Sequence, residues 1–312
     1  MISRTGSLAR SSAAAAPARA VALALAFERR RLLDFVALTK PRVVLMVLVT
    51  TFVGFHVGSV GGAEYVRLFH TLLGTALAAG GTLALNQFLE RDVDRRMTRT
   101  RSRPLPDGRL APVEALVFGT STTVAGLGYL ALAVDLGPAL VTGATAVLYL
   151  FAYTPLKRVT PLALVIGAVP GALPPVSGWV AARGELGPGA AILFSILFLW
   201  QLPHTLAIAR LYRDDYARAG IRVLPVVDPD GASTERQIVA ACLALLAVGL
   251  LPTLAGLAGA VYFFGAFGLG AMFLACGMAQ ALAPSPAAAR RLLLVSVVYL
   301  PLLLVLMALD KA

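Results

Sequence analysis

Nine stretches of this chain are apolar over the length that crosses a bilayer: residues 43–60, 66–89, 112–134, 138–154, 161–182, 188–209, 237–257, 259–283 and 292–309. About 20 apolar residues in helical form span a hydrocarbon core. Lipid offers no partner to a backbone N–H or C=O, so each stretch must satisfy its own as a helix. The pattern predicts an all-α polytopic membrane protein with about nine transmembrane helices and excludes a soluble globular domain. With 58% of residues hydrophobic and 14% charged, the chain has few ionisable groups, and each one bears on function.

The net charge of +11 invites a nucleic-acid partner, but its placement argues against one. Eight Lys and Arg lie in residues 1–42, seven in 91–109, two at 157–158, five in 210–236 and two at 290–291. The loops between hold Arg67, Arg183 and Lys311. Every second loop is basic, which is the positive-inside pattern. It places the N-terminus and the basic loops in the cytoplasm and the C-terminus outside. The charge is mostly topology, and the partner it implies is the lipid bilayer, with no nucleic acid.

Residues 1–27 are rich in Ala, Arg and Ser and contain no acid. That composition resembles an organelle transit peptide, which would point to the mitochondrial inner membrane. It fits equally a disordered cytoplasmic tail in a bacterial inner-membrane protein, the reading adopted here. The expected division is a tail over 1–32 and a membrane domain over 33–312. Cys242 and Cys276 both fall within apolar helices, where packing is the expected role.

Chemistry gathers where the second apolar stretch ends. Asn86, Glu90 and Asp94 recur every fourth residue, so on a helix they form one stripe with steps of about 6 Å. Carboxylates that close repel and are costly near lipid; a divalent cation offsets both. Asp92 points off the stripe. Arg95, Arg96, Arg99, Arg101 and Arg103 follow at once, and metal-bridging oxygens beside guanidinium groups suit a diphosphate. The Pro and Gly of Pro104-Leu105-Pro106-Asp107-Gly108 then mark a turn.

Other polar features fall on the same side. Thr39-Lys40-Pro41-Arg42 opens the first span, with Pro41 suited to a first helical turn. Tyr153-Thr154-Pro155-Leu156-Lys157-Arg158 is a short turn with paired cations, either orienting charges or a phosphate clamp. Trp200-Gln201-Leu202-Pro203-His204 carries an ionisable residue beside a helix-breaking proline. Asp214 and Asp215 lie at the end of that helix, near Arg210, Arg213 and Arg218. The three prolines and two glycines of 167–175 break a helix within the membrane, which is tolerated where backbone lines a cavity. His56, His70, Asp135 and Glu185 fall towards the opposite side.

Two acid clusters with arginines, set against apolar helices, suggest a metal and diphosphate beside a chamber for a greasy tail. An allylic diphosphate fits both. Its ionisation leaves diphosphate and a carbocation, and cations stabilise the leaving group. A dry pocket delays quenching by water. The pattern points to prenyl transfer; charge and spacing leave the acceptor open.

The motifs resemble those of the UbiA superfamily of intramembrane prenyltransferases, and within it the branch that farnesylates heme. The resemblance covers about residues 33–310. It rests on Leu38 to Arg42, Asn86 to Pro106, Tyr153 to Arg158, Pro170 to Pro175 with Gly178-Trp179, Leu199 to His204, and Asp215 to Ile221 with Val223-Leu224-Pro225. It implies a UbiA-type bundle whose active site opens to the cytoplasmic side. Its substrates would be farnesyl diphosphate and heme B, its product heme O, and its metal Mg2+. A downstream heme-modifying enzyme or a terminal oxidase is the partner such a product implies.

By the same resemblance Asn86, Glu90, Asp94 and Asp215 are the catalytic positions, with Glu90, Asp94, Asp214 and Asp215 as metal ligands. Lys40, Arg99, Arg103, Lys157 and Arg158 are candidates for diphosphate, and His204 for heme. Glu90 stands where the family carries Asp. The outer positions of the superfamily's second Asp pair hold Tyr212 and Tyr216. A quinone-type aromatic acceptor is the rival within enzymes. A secondary transporter would place its polar groups near the bilayer midplane, whereas these crowd the helix ends.

Overall fold

The structure, a computed structural model, describes residues 28–62 and 64–312. The earlier part of the expected tail lies outside the described residues. Residues 28–38 are helical (α1), so helix takes in positions assigned to the tail from sequence. Nine helices among the described residues are long and apolar enough to cross a membrane. They are α2 (Pro41–Gly58), α3 (Tyr65–Asp94), α4 (Pro112–Ala133), α5 (Leu136–Leu156), α6 (Ala163–Arg183), α7 (Pro188–Leu211), α8 (Ala232–Leu254), α9 (Ala260–Leu282) and α10 (Pro286–Leu309). The all-helical membrane architecture expected from the apolar stretches is present.

Helix starts follow local chemistry. Pro41 opens α2, Pro112 α4, Pro188 α7 and Pro286 α10, where the missing N–H leaves nothing unsatisfied. Ser285 caps α10 by accepting from the Ala288 N–H at 3.1 Å, and Asp135 caps α5 through the Gly137 N–H.

Helices α2, α6, α7, α8, α9 and α10 share one core around Tyr262, Tyr299, Phe273 and Ile196. Helix α4 packs on α3. A Cβ at Gly81 or Gly126 would collide with backbone of the facing helix. Small residues permit the close approach that membrane helices use in place of hydrophobic drive. Cys242 is buried in the shared core and neither cysteine is bridged, as a packing role requires.

Three irregularities shape the interior. Helix α5 passes through a turn of π-helix at Leu148–Tyr153. Helix α6 breaks at Leu173, between Ala163–Ala172 and Pro174–Arg183, where the prolines predicted it. At Lys40, between α1 and α2, the backbone is left-handed (φ 50°, ψ 67°). That conformation costs a residue with a Cβ of order 1–3 kcal/mol and persists where surroundings impose it. Two residues earlier, Gln87 donates to the Leu38 carbonyl at 2.8 Å. At the opposite face Lys311 donates to the carbonyls of His56 and Ser59, tying the end of α10 to α2.

Candidate active site

The ends of α2, α3, α5, α6 and α7 on one face of the bundle enclose a cavity of about 200 Å3. Helix α3 stays regular to Asp94, so Asn86, Glu90 and Asp94 form the expected stripe. All three are buried, at 1%, 7% and 3% exposure, and all line the cavity. Asp92, off the stripe, is exposed.

Cations face the stripe one by one. Lys40 Nζ donates to Asn86 Oδ1 at 2.9 Å. Lys157 pairs with Glu90 Oε1, and Arg103 Nη1 donates to Asp94 Oδ2 at 2.7 Å. Arg99 lines the same cavity, with its guanidinium over the Tyr212 ring at 5.4 Å. Burial first, and then the charge of Arg103, pull the Lys40 ammonium down to about 8, still protonated at neutral pH.

The cations arrive on segments held from behind. The turn after α3 is closed by Thr100 Oγ1 donating to the Asp94 carbonyl at 2.9 Å and by Arg95 Nε donating to the Pro106 carbonyl at 3.1 Å. Arg109 Nε then donates to Asp34 on α1 at 3.0 Å. Lys157 sits at the end of α5, where its carbonyl accepts the Arg222 N–H at 3.0 Å. Asn86 is fixed from its other side by donating to Thr154 Oγ1 at 3.1 Å.

The stripe's donors are an amide oxygen and two carboxylates, the oxygen chemistry that Mg2+ prefers. Glu90 Oε1 is buried and has the Lys157 ion pair but no hydrogen bond. That leaves coordination capacity inside the cavity, so the residues fit the ion. Among the described residues no three His, Cys, Asp or Glu side chains converge on one point. A metal here would complete its shell with water and substrate oxygens, as Mg2+ commonly does.

Several expected residues stand elsewhere. Asp214 is exposed, and Asp215 is buried beneath the loop after α3, outside the cavity wall. Burial would raise the Asp215 carboxyl, but the Thr98 N–H, the Arg218 guanidinium and the Arg99 N–H outweigh it and hold it below the usual value. Asp215 therefore anchors the loop bearing Arg99. Arg158 is exposed and also outside the wall, because one residue past Lys157 the turn points outward. His204 faces α10: its ring stacks on Trp200 at 4.7 Å and its Nδ1 meets Ser296 Oγ at 2.7 Å.

A second, apolar cavity of about 100 Å3 adjoins the first across Tyr149. Val43, Val47, Leu83, Pro170, Gly171 and Pro174 line it. The break in α6 thus borders a cavity, the setting that tolerates irregular backbone.

Family membership follows from comparison with known proteins. The UbiA prenyltransferase family matches residues 47–303. The protoheme IX farnesyltransferase of Solibacter usitatus is 47% identical over 89% of this chain and 98% of its own length. That of Koribacter versatilis is also 47% identical, over 89% and 93%. The chain belongs to the UbiA prenyltransferase family.

Solved structures agree on the UbiA fold. Digeranylgeranylglyceryl phosphate synthase superposes with a TM-score of 0.76 at 16% identity, covering 90% of this chain and 98% of that one. A UbiA homologue from Archaeoglobus fulgidus, bound to GPP and Mg2+, gives 0.62 at 16% identity, over 88% and 99%.

Seven expected residues of this UbiA-family chain meet at one cavity: Lys40, Asn86, Glu90, Asp94, Arg99, Arg103 and Lys157. Sequence reasoning gave no role to Tyr149, Thr205, Tyr216 or Arg222, which line the same wall. Tyr149 sits in an apolar run, and the π-turn that aims it inward leaves no periodic signal. Arg222 signalled itself only as one more loop cation.

Proposed function

We propose that this protein transfers the farnesyl group of farnesyl diphosphate to the vinyl group of heme B, with addition of water, giving heme O and diphosphate. The acceptor rests on one observation, the 47% identity to protoheme IX farnesyltransferases along nearly the whole chain. The cavity supports the other half, because a trianionic headgroup suits Lys40, Arg99, Arg103 and Lys157 set around buried oxygens.

In this reading the four cations take the diphosphate oxygens and hold C1 of the farnesyl chain at the mouth of the apolar cavity. When the allylic C–O bond breaks, its electron pair leaves with the diphosphate. The fixed positive charges stabilise that developing anion without having to reorganise. Asn86, Glu90 and Asp94 would hold Mg2+, which neutralises charge on the leaving group when bound. The vinyl π electrons form the new C–C bond to C1, leaving positive charge on the carbon beside the porphyrin. Water adds there and loses a proton, completing the hydroxyethylfarnesyl group. The apolar walls keep water from C1 until the vinyl group has reacted.

His204 is assigned to heme contact on its hydrogen bonding. Ser296 Oγ donates to the Leu293 carbonyl at 2.6 Å, so its oxygen accepts from His204 Nδ1. That fixes the tautomer with a lone pair on Nε2, the form that ligates iron. The active cavity is assigned to the cytoplasmic side of the bacterial inner membrane, because the basic loops surround it.

The test is to offer purified protein in lipid labelled farnesyl diphosphate with heme B or with a hydroxybenzoate acceptor. Label entering heme alone supports the assignment; label entering the aromatic acid alone contradicts it.

A further inference from the structure

The active cavity and the apolar cavity meet at one side chain. Among the described residues Tyr149 alone lines both. In the proposed reaction the diphosphate occupies the first space and the farnesyl chain the second. The bond that breaks, between C1 and the diphosphate oxygen, therefore passes Tyr149.

That position matters because the two cavities differ in what they offer water. The polar one, at about 200 Å3, has room for several waters at about 30 Å3 each, and its charged walls hold them. The other is mostly apolar, and the hydroxyls of its Thr82 and Thr145 already donate to the carbonyls of Ala78 and Val141, at 2.7 and 2.9 Å. An allylic cation at the junction has two fates. The acceptor's π electrons can form a C–C bond to C1. Water can instead form a C1–O bond and lose a proton, which leaves farnesol beside the diphosphate.

Tyr149 is held in the junction. It lies on the π-turn Leu148–Tyr153, an irregularity that recurs at functional sites. Its carbonyl accepts from Thr154 Oγ1 at 2.7 Å, and Thr154 Oγ1 accepts from Asn86 Nδ2 at 3.1 Å. The Tyr149 hydroxyl comes back to within 3.5 Å of Asn86 Oδ1. Backbone and tip are thus both tied to one side chain of α3. Beside the ring stands that of Tyr153, 5.4 Å away at 31°, seated in the space that Gly167 leaves by having no Cβ.

The geometry points to Tyr149 as the catalytic side chain that separates C1 of the allylic cation from the water of the polar cavity. An aromatic ring suits both parts of that task. It fills the passage, and its π electrons attract a cation that has left water behind. The inference rests on the prenyl-transfer half of the proposed function and not on the identity of the acceptor.

The test counts products rather than rate. The full chain in lipid is given farnesyl diphosphate, magnesium and whichever of heme B or hydroxybenzoate took the label above. The readout is farnesol as a share of the diphosphate released. The unmodified protein should give a small share, and Tyr149→Phe, which keeps the ring, should leave it unchanged. Tyr149→Leu should raise it by about tenfold, the scale of one cation–aromatic contact out of water. Tyr149→Met should do the same, and serves if the leucine variant does not fold. Slower turnover with an unchanged farnesol share in the Leu and Met variants would overturn the inference. So would a large share in the unmodified protein, or Tyr149→Phe raising it as much as Tyr149→Leu. Failure of heme as the acceptor would show separately, in which molecule carries the farnesyl group.

Discussion

Arg103 Nη1 and Asp94 Oδ2 lie 2.7 Å apart with the carboxylate side chain 4% exposed, so a residue of the loop after α3 neutralises the last acid of α3 itself. Helix and loop are thus one electrostatic unit, and a diphosphate entering the cavity meets both.

Asp94→Asn keeps the shape and an oxygen for Arg103 but removes the charge. Turnover should fall by about a hundredfold or more, the scale of losing one preorganised electrostatic contact. The thermal midpoint should barely move. Steady-state kinetics with a melting curve checks both, and near-normal turnover at low magnesium would remove Asp94 from the site.

Glu90 and Lys157 are a buried pair, with side chains 9% and 13% exposed. Lys157→Met alone leaves a buried carboxylate unpaired, a loss of about 3–5 kcal/mol. Adding Glu90→Gln should restore much of that stability and none of the activity. Denaturation of both variants beside a turnover assay measures the difference. Activity returning with stability would make the pair merely structural.

Asp215 separates two roles. As the anchor of the Thr98–Arg99 turn it needs only to accept hydrogen bonds, so Asp215→Asn should keep most activity. Asp215→Ala should raise KM for farnesyl diphosphate, because Arg99 loses its footing. A metal ligand would behave differently: Asp215→Asn would abolish turnover and shift the magnesium dependence.

The α3–α4 contact is a packing claim. Gly126→Val drives a side chain into the backbone at Ala78, and overpacking of this kind costs about 1–3 kcal/mol. The thermal midpoint should drop while KM for farnesyl diphosphate stays unchanged in the folded fraction.

The spans were legible because lipid permits one solution for a long apolar stretch. The acid stripe was legible because α3 stays regular through Asp94, so spacing alone fixed which faces coincide. The window ending at 89 stopped short of a helix that continues to Asp94, because hydropathy ends where the chemistry begins. Arg158 and Asp215 could not be placed that way. Each lies just past a helix end, where side-chain direction depends on a turn and its partners. His204 stands out in the sequence as an ionisable residue within a span, but its turn towards Ser296 is set by α10, distant in sequence.

The most direct measurement is mass spectrometry of hemes extracted after the purified protein, in lipid, has met heme B, farnesyl diphosphate and magnesium. The expected product is a heme heavier by one farnesyl group and one hydroxyl group, absent without the metal and about a hundredfold less abundant with Asp94→Asn. Unmodified heme from well-folded protein that still consumes farnesyl diphosphate with another acceptor would contradict it.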